Sequence, residues 1–248
     1  MDKALYIAMT GATHNMRSQT SHANNLANAS TVGFKSDYVA ARSMPIYGGD
    51  GLPSRAYALA ERPRTDFTTG SLQQTGRELD IAVDGDGFIA VQAPNGDEVY
   101  TRAGSLYIDK LGILRTGNGL PVMGNGGNIT ILAADKIEIG IDGNITLIPS
   151  DDVTQPQTVD RIKLIEGEPD QMFKGEDGLF RFKDGRNPPA AEGAIRVASG
   201  YLEGSNVNAV NELTGILSLS RQYEMQVKLM STAKEMSEAE ARLLQLQM

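Results

Sequence analysis

The segment Asp84-Gly85-Asp86-Gly87 resembles the start of a calcium-binding loop, because it places two carboxylates two residues apart beside glycines. In such a loop Phe88 would stand at the third ligand position and Asn95 at the position of the bidentate glutamate. A phenyl ring offers no oxygen, and an amide cannot replace the bidentate carboxylate. The segment therefore predicts a tight turn and no metal site.

The chain offers few residues for histidine or cysteine chemistry, because it contains two histidines and no cysteine. His14 and His22 are eight residues apart on a predicted helix, a rotation of about 80°, so they do not converge on one ion. Absence of cysteine excludes disulfides, thiolate metal sites and a cysteine nucleophile. The glycine-rich runs 117–119 and 124–127 complete neither a dinucleotide motif nor a phosphate loop. We expect no catalytic residue, metal or cofactor, although a carboxylate pair that meets only in the fold stays open.

The composition narrows the class of protein further. The 248 residues carry a formal net charge of −8, which argues against a nucleic-acid binder. No apolar run approaches the roughly 18 residues of a membrane helix. The N-terminus makes a poor signal peptide, because Asp2 offsets Lys3 and the following apolar run is short. If the protein leaves the cytoplasm, we expect it to use another route.

Glycine and proline are concentrated in the middle of the chain. Before Met44 the only glycines are Gly11 and Gly33, after Gly204 the only one is Gly215, and neither end contains proline. Because both residues disfavour helix interiors, the distribution predicts helical ends around a non-helical centre.

The first predicted helix runs from Asp2 to about Ala29, and Gly33 supplies the turn that follows it. Its stripe of apolar or small residues is thin: Leu5, Ala8, Ala12, Met16 (or Asn15), Gln19, Ala23 and Leu26. The second helix runs from about Asn208 to Met248 and carries a longer stripe. Ser205, Asn206 and Asn208 are candidate caps for it.

The centre has the pattern of short antiparallel strands. Apolar runs such as Phe88–Gln92, Glu98–Arg102 and Arg161–Ile165 are separated by Asn, Asp and Gly turns. We therefore predict an α+β protein, with a central antiparallel β domain, sandwich or barrel-like, and long helices at both ends. The predicted division is 1–33 with 207–248 as a helical domain for assembly, 34–78 as an extended connector, and 79–206 as the β domain.

The terminal helices admit two interpretations. They pair with each other inside one chain, or they assemble with helices of other subunits. The thin stripe of the first helix favours assembly, because a helix that buries little apolar surface is marginal alone.

Three motifs also resemble those of a known family, the flagellar basal-body rod and hook proteins. The N-terminal motif is Ala23-Asn24-Asn25-Leu26-Ala27-Asn28 with Thr31 and Gly33-Phe34-Lys35. The C-terminal motif is Glu203-Gly204-Ser205-Asn206-Val207-Asn208 followed by Arg221-Gln222-Tyr223-Glu224. The centre adds 75–83 and Tyr100-Thr101-Arg102-Ala103-Gly104. Within the family the chain is most similar to proximal-rod subunits, and distal-rod subunits are the nearest alternative.

The resemblance implies a structural subunit whose terminal helices form a coiled-coil layer around an export channel. Such subunits transmit torque along a rod that spans the periplasm, and they pass unfolded through the flagellar type III export apparatus without a cleaved signal peptide. The implied partners are copies of the chain and other rod proteins of the FlgB, FlgC and FlgG types. No nucleic acid and no membrane insertion are expected.

The resemblance assigns an assembly role to nineteen residues. Apolar and small side chains are expected to pack between helices, Asn side chains to satisfy backbone groups, and Gly33 and Phe34 to fix the exit from the first helix. The set is Leu5, Ala8, Ala12, Ala23, Asn24, Asn25, Leu26, Asn28, Gly33, Phe34, Ser205, Asn206, Val207, Asn208, Leu213, Leu217, Tyr223, Val227 and Met230. Two rival classes remain, a secreted binding module and a peptidoglycan hydrolase.

Overall fold

The computed structural model describes residues 2–45, 56–60, 63–131, 136–148, 156–191, 193 and 195–245. The chain divides into two compact units, which we call the helical unit (Met1–Ala27, Asp37–Asp66 and Asn208–Met248) and the β unit (Asn28–Ser36 and Phe67–Val207). The described residues form two long helices, and their strands pair in antiparallel fashion. The predicted helical ends and antiparallel β centre are confirmed.

The helical unit contains both helices and four short strands. Helix α1 spans Asp2–Ala27 and helix α2 spans Ala209–Gln245; residues 246–248 of the predicted second helix lie outside the described residues. The strands are β1 (Asp37–Tyr38), β2 (Ala41–Pro45), β3 (Ala56–Ala60) and β4 (Arg64–Thr65), paired β1 with β4 and β2 with β3. Part of the segment expected to be an extended connector is therefore paired strand, grouped with the helices.

The β unit contains sixteen strands among its described residues. In chain order they are β5 (Leu72–Gln74), β6 (Ile81–Asp84), β7 (Gly87–Gln92), β8 (Glu98–Thr101), β9 (Leu106–Ile108), β10 (Leu114–Thr116), β11 (Met123–Gly124), β12 (Gly127–Asn128), β13 (Lys136–Ile139), β14 (Asn144–Ile148), β15 (Gln157–Arg161), β16 (Leu164–Glu166), β17 (Met172–Lys174), β18 (Phe180–Phe182), β19 (Arg196–Ser199) and β20 (Tyr201–Glu203). The largest sheet has the order β16-β7-β8-β18-β17, and a second has the order β13-β14-β15. Two-stranded ribbons pair β9 with β10, β11 with β12, β6 with β19, and β5 with β20.

The predicted turns lie where the sequence places them. Gly96 joins β7 to β8, Gly112 joins β9 to β10, and Gly143 joins β13 to β14, each with a positive φ that favours glycine. The predicted strand Arg161–Ile165 is wrong in detail, because β15 ends at Arg161 and β16 begins at Leu164. Between them Ile162 forms a bridge to Gly124, so this stretch changes its pairing partner.

Two apolar clusters hold the β unit together. The larger gathers aliphatic side chains such as Ile81, Val91 and Leu114, all fully buried, from strands of several sheets. The smaller is aromatic and stacks Phe88, Tyr100, Phe180 and Phe182 on the five-stranded sheet. Burial of this kind contributes about 1.5–3 kcal/mol for each large side chain, so the β unit has a core of its own.

Candidate assembly interface

Helices α1 and α2 pack antiparallel against each other within the helical unit. Near the middle of both helices, Asn15 Nδ2 donates to Gln226 Oε1 at 3.3 Å. Near one end of the pair, His22 Nδ1 lies 2.5 Å from Glu212 Oε2. Residue numbers rise along α1 in the direction in which they fall along α2, so the two helices are antiparallel.

Two glycines lie opposite polar side chains across the helix pair. A Cβ at Gly11 would lie 2.5 Å from Nε2 of Gln226, and a Cβ at Gly215 would lie 3.0 Å from Cε1 of His22. Each helix thus places a glycine opposite a polar side chain of the other. Each glycine disfavours the helix by about 1 kcal/mol relative to alanine, and each leaves space for the polar side chain opposite it.

The seam between the helices combines small and polar residues with large apolar ones. On α1, Asn15, Ser18 and Asn25 are buried at 5%, 8% and 3% exposure. The inward positions of both helices recur in alternating steps of three and four residues. On α1 they are Ala8, Gly11, Asn15, Ser18, His22 and Asn25, beside the buried Ala12, and on α2 they are Glu212, Ile216, Leu219, Tyr223, Gln226, Met230 and Ala233.

Large apolar side chains lie on the outside of the same pair. Leu5, Met9 and Met16 are between 38% and 55% exposed, and at about 100° per residue they fall within about 40° of one another around α1. On α2, Leu213 and Leu217 are 49% and 60% exposed. Val227 completes this group at 42% exposure.

The two exposed groups belong to one face. Because α2 runs opposite to α1, the helical rotation brings Leu213, Leu217 and Val227 to the same side of the pair as Leu5, Met9 and Met16. We call these six residues the apolar face. A second stripe, Met225, Leu229 and Met236, is 55% to 62% exposed and lies on the opposite side of α2. A free helix pair therefore exposes two sets of large apolar side chains, which are typical of interaction sites.

The predicted assembly residues divide between the inside and the outside of the chain. Ala12 is buried, and Ala8, Leu26, Tyr223 and Met230 are half-buried. Ala23 and Asn24 are exposed, as are Leu5, Leu213, Leu217 and Val227. The exposed members are available to a partner, and their role in assembly stays a prediction.

Three of the predicted asparagines form hydrogen bonds within their own chain, two of them with backbone groups. Asn25 accepts from Asp37 N at 2.9 Å and donates to Asp37 O at 2.8 Å. Asn206 Oδ1 accepts from Ser36 N at 2.8 Å. Asn28 Oδ1 accepts from the Thr31 hydroxyl at 3.1 Å in the turn after α1.

The start of α2 is capped by Asn208. Its Oδ1 accepts from Val210 N at 3.1 Å and from Asn211 N at 3.3 Å, the arrangement of an N-cap. Ser205 Oγ accepts from Val207 N at 3.2 Å just before it. Of the three predicted cap donors, Asn208 is the one at the helix end.

Gly33 and Phe34 lie in the β unit, after α1 has ended at Ala27. Gly33 has φ +69°, and a Cβ there would lie 2.3 Å from the carbonyl carbon of Arg102. Its N–H donates to Glu203 O at 2.8 Å. Phe34 is half-buried, and Lys174 Nζ lies 3.8 Å from the centre of its ring. Only glycine fits at position 33, because the conformation and the space both exclude a side chain.

Three buried charges meet beside this turn. Glu203 Oε1 accepts from Lys35 Nζ at 2.7 Å, and Glu203 Oε2 accepts from Arg102 Nη1 at 3.0 Å. The Lys35 and Glu203 side chains are 0% exposed and that of Arg102 is 2% exposed. We call these three residues the charge cluster. Each belongs to a different one of the three motifs, which are thereby brought together at one point.

Sequence reasoning missed the charge cluster. It singled out Gly33 and Phe34 but not Lys35, and it took Ser205 onward but not Glu203. A single sequence does not show that charges at 35, 102 and 203 meet. The one available signal was that each of these three charges belongs to one of the motifs. Arg102 also donates to Gly85 O at 2.6 Å, so the turn once compared with a calcium loop binds a guanidinium.

Metal and membrane features are limited within the described residues. There, no group of three or more His, Asp or Glu side chains is arranged to hold a metal ion. His22 is paired with Glu212, and His14 Nε2 lies 3.5 Å from Ser18 Oγ. Of the helices in the described part of the chain, none is both long and apolar enough to span a bilayer.

Comparison with known families matches three stretches of the chain. Residues 5–35 match the family "Flagella basal body rod protein", and residues 82–147 match "Flagellar hook protein FlgE/F/G D1 domain". Residues 198–243 match "Flagellar basal body rod FlgEFG protein C-terminal". The N-terminal match covers most of α1 and Lys35, and the C-terminal match covers Glu203 and most of α2.

Curated relatives match over nearly the whole chain. The flagellar basal-body rod proteins FlgF of Escherichia coli and Salmonella typhimurium are each 39% identical over 241 residues, which cover 95% of this chain and 95% of theirs. The rod protein FlgG of Bacillus subtilis is 32% identical over 256 residues, covering 95% of this chain and 96% of its own. These relatives are named as rod proteins. The chain therefore belongs to the flagellar basal-body rod protein family, as a structural subunit similar to FlgF and, less closely, to FlgG.

Proposed function

We propose that the chain is a subunit of the proximal rod, where it assembles helically through α1 and α2 with copies of itself and with other rod proteins. In this role the helices form a coiled-coil layer that encloses the export channel, and the subunit transmits torque. The assembly domain we propose comprises 1–33 with 207–248. The 39% identity to FlgF supports the proximal position, and the 32% identity to FlgG keeps the distal rod as the alternative.

The observation that carries the proposal is the apolar face. Leu217 is 60% exposed and Leu213 is 49% exposed on a helix that packs against α1 through other positions. Burying such side chains contributes about 25 cal/mol for each Å² of apolar area removed from water. In a stack of subunits this contribution is made at every interface. The second stripe, on the other side of α2, gives each subunit a further surface. Two different surfaces suit a head-to-tail contact that continues along an axis.

The partners follow from this arrangement. We expect the chain to contact rod proteins of the FlgB, FlgC and FlgG types and the flagellar type III export apparatus, and to lie in the part of the rod that spans the periplasm. The role is mechanical and needs no active site.

The test is a charge placed in the apolar face. Leu217→Asp should abolish incorporation into basal bodies and swimming, because a carboxylate buried without a partner is strongly unfavourable. Leu217→Met is the matched control, because it keeps an apolar side chain of similar size at the same position. Both purified variants should keep the far-ultraviolet circular dichroism of the parent. Normal swimming of Leu217→Asp would contradict the proposed interface.

The axial position needs a separate experiment. The gene should restore swimming in a strain that lacks its proximal-rod subunit and fail in a strain that lacks its distal-rod subunit. Rescue of the distal-rod strain alone would support the alternative.

A further inference from the structure

Three asparagines of the β unit are followed directly by glycine: Asn95, Asn118 and Asn125. At such a step the backbone nitrogen of the glycine can attack Cγ of the asparagine, because glycine has no side chain to obstruct the approach. The new N–Cγ bond closes a succinimide ring, the Cγ–Nδ2 bond breaks, and the amide leaves as ammonia with the proton of the backbone nitrogen. Water then opens one of the two ring carbonyls, which leaves aspartate or isoaspartate.

The fold decides how readily each of these steps reacts. The attacking nitrogen has to give up any hydrogen bond that its N–H donates, and the asparagine side chain has to turn until Cγ meets that nitrogen. Each hydrogen bond that must break first slows the reaction by roughly twofold to tenfold. The three sites share the same dipeptide, so they are distinguished by the hydrogen bonds around it.

Asn95 lies in the turn between β7 and β8, where both reacting groups are held. Gly96 N donates to Ala93 O at 2.9 Å. Asn95 Oδ1 accepts from Asp97 N at 3.1 Å, and Asn95 Nδ2 donates to Asp97 Oδ2 at 2.6 Å. These contacts keep the side chain on Asp97 and the nitrogen of Gly96 on a carbonyl, so this step is protected.

Asn118 lies in the turn that follows β10, and its side chain is exposed. Gly119 N donates to Thr116 O at 2.7 Å. Gly119 O accepts from Arg115 Nη1 at 2.8 Å, which holds the same residue from its other side. The side chain is free to turn here, but the attacking nitrogen is not.

Asn125 and Gly126 are the two residues that join β11 to β12, and both are exposed. Gly124 pairs with Gly127 across this turn. Within the described part of the chain, neither the backbone N–H of Gly126 nor the side chain of Asn125 makes a hydrogen bond. A Cβ at Gly126 would meet no described atom within 4 Å, so the space around the turn is open.

We propose that Asn125 is a self-modification site: in the folded chain the backbone nitrogen of Gly126 converts its side chain to aspartate or isoaspartate, faster than the corresponding reactions at Asn95 and Asn118. The chain supplies the nucleophile, water is the co-reactant, and ammonia is the product. Either product adds one negative charge to the hairpin. Isoaspartate also adds a methylene to the main chain of a two-residue turn, whose length sets the register of β11 and β12. The inference does not depend on the position of the subunit in the rod.

The test is incubation of the purified full-length chain in neutral and mildly alkaline buffer, followed by peptide mass spectrometry at successive times. The amide at Asn125 should be lost at least about threefold faster than those at Asn95 and Asn118. Labelling by isoaspartate methyltransferase should detect isoaspartate at this position, because direct hydrolysis of the amide gives aspartate alone. In concentrated urea the three rates should agree within about twofold, since the hydrogen bonds of the turns are then lost.

Gly126→Ala tests the route, because it keeps Asn125 and places a methyl group beside the attacking nitrogen. The variant should fold like the parent, since the space is open and the φ of Gly126 lies outside the positive range. Loss of the amide at Asn125 should slow at least about tenfold. Gly117→Ala is the matched control, because a Cβ there meets its nearest atom, Ser105 O, at 3.6 Å, and it should leave the rate at Asn125 unchanged.

Three results would each overturn the proposal. The first is an amide at Asn125 that is lost no faster than the amide at Asn118 in the folded chain. The second is loss of that amide without isoaspartate. The third is a folded Gly126→Ala variant that reacts at the rate of the parent.

Discussion

The side-chain amide of Asn25 pairs with the backbone of Asp37 as a strand partner would. Asn25 Oδ1 accepts from Asp37 N at 2.9 Å, and Asn25 Nδ2 donates to Asp37 O at 2.8 Å. Ser21 Oγ also donates to Asp37 O at 2.7 Å. A helix thus anchors the first residue of β1 through side chains, with Asn25 only 3% exposed.

Asn25→Ala should destabilise the helical unit by about 1–3 kcal/mol, because it leaves a buried peptide N–H without its partner. Urea unfolding followed by circular dichroism measures the loss. Asn24→Ala is the neighbouring control and should cost less, since Asn24 is exposed. Equal midpoints for the two variants would contradict a special role for the Asn25 amide.

Gly33→Ala should be strongly destabilising, and Gly76→Ala should be mild. Both glycines have a positive φ, +69° and +73°, so alanine pays a conformational cost of about 1–2 kcal/mol at either position. A Cβ at Gly76 meets nothing within 4 Å among the described residues, whereas at Gly33 it would lie 2.3 Å from the Arg102 backbone. The difference between the two thermal midpoints measures the steric part. Similar losses would mean that the turn at Gly33 can relax.

Asn208→Ala should weaken the first turn of α2 by about 1 kcal/mol, because two backbone N–H groups lose their cap. The measurement is amide exchange of residues 209–214, compared with Asn211→Ala, which leaves the cap in place. An Asn208→Ala variant that exchanges no faster than Asn211→Ala would show that the helix start is held in another way.

The buried phenol of Tyr100 should lower the free energy of unfolding at alkaline pH. Burial first, and then the charge and hydrogen bond of Glu98, raise the pKa of Tyr100 well above its ordinary value of 10.0. The unfolded chain ionises this phenol at about pH 10, and the folded chain does so only at higher pH. The contribution to stability is therefore complete below about pH 10 and decreases as pH rises above it.

Tyr100→Phe should flatten the decrease in the free energy of unfolding between about pH 10 and pH 11. Tyr107→Phe is the control, because Tyr107 is 39% exposed. Urea unfolding at stepped pH values gives the two slopes. Parallel pH profiles for parent and Tyr100→Phe would contradict the raised pKa.

The elements of this fold could be predicted because local patterns encode them. Absence of proline marks the two helices, and the turns at Gly96, Gly112 and Gly143 follow from backbone conformations that glycine favours. The short strands β1 and β4 escaped prediction, since two residues carry no periodicity. Their pairing comes from contacts such as the Thr65 hydroxyl donating to Asp37 Oδ1 at 2.7 Å.

The contacts within the helical unit could not be predicted from hydropathy. The apolar stripe that predicted α1 passes through Leu5, Met16 (or Asn15) and Ala23; Leu5, Met16 and Ala23 are exposed, while Asn15 and Asn25 are buried. Polar residues at helical spacing give no hydrophobic signal, so most of the α1 side of the seam resembles a solvent-facing surface in the sequence. The charge cluster was hidden for a related reason, because isolated charges at 35, 102 and 203 resemble surface residues until the fold removes water from around them.

The helix pair mixes hydrogen-bonding and apolar side chains in its seam, such as Asn15 and Tyr223, and leaves the six large side chains of the apolar face in water. An autonomous helical hairpin buries such large side chains and gains most of its stability from itself. For this pair, exposure of the outer apolar surface to water is unfavourable, and contact with similar surfaces removes it from water. Association therefore depends on local concentration: a dilute chain stays dispersed, and a chain delivered into a confined volume stacks.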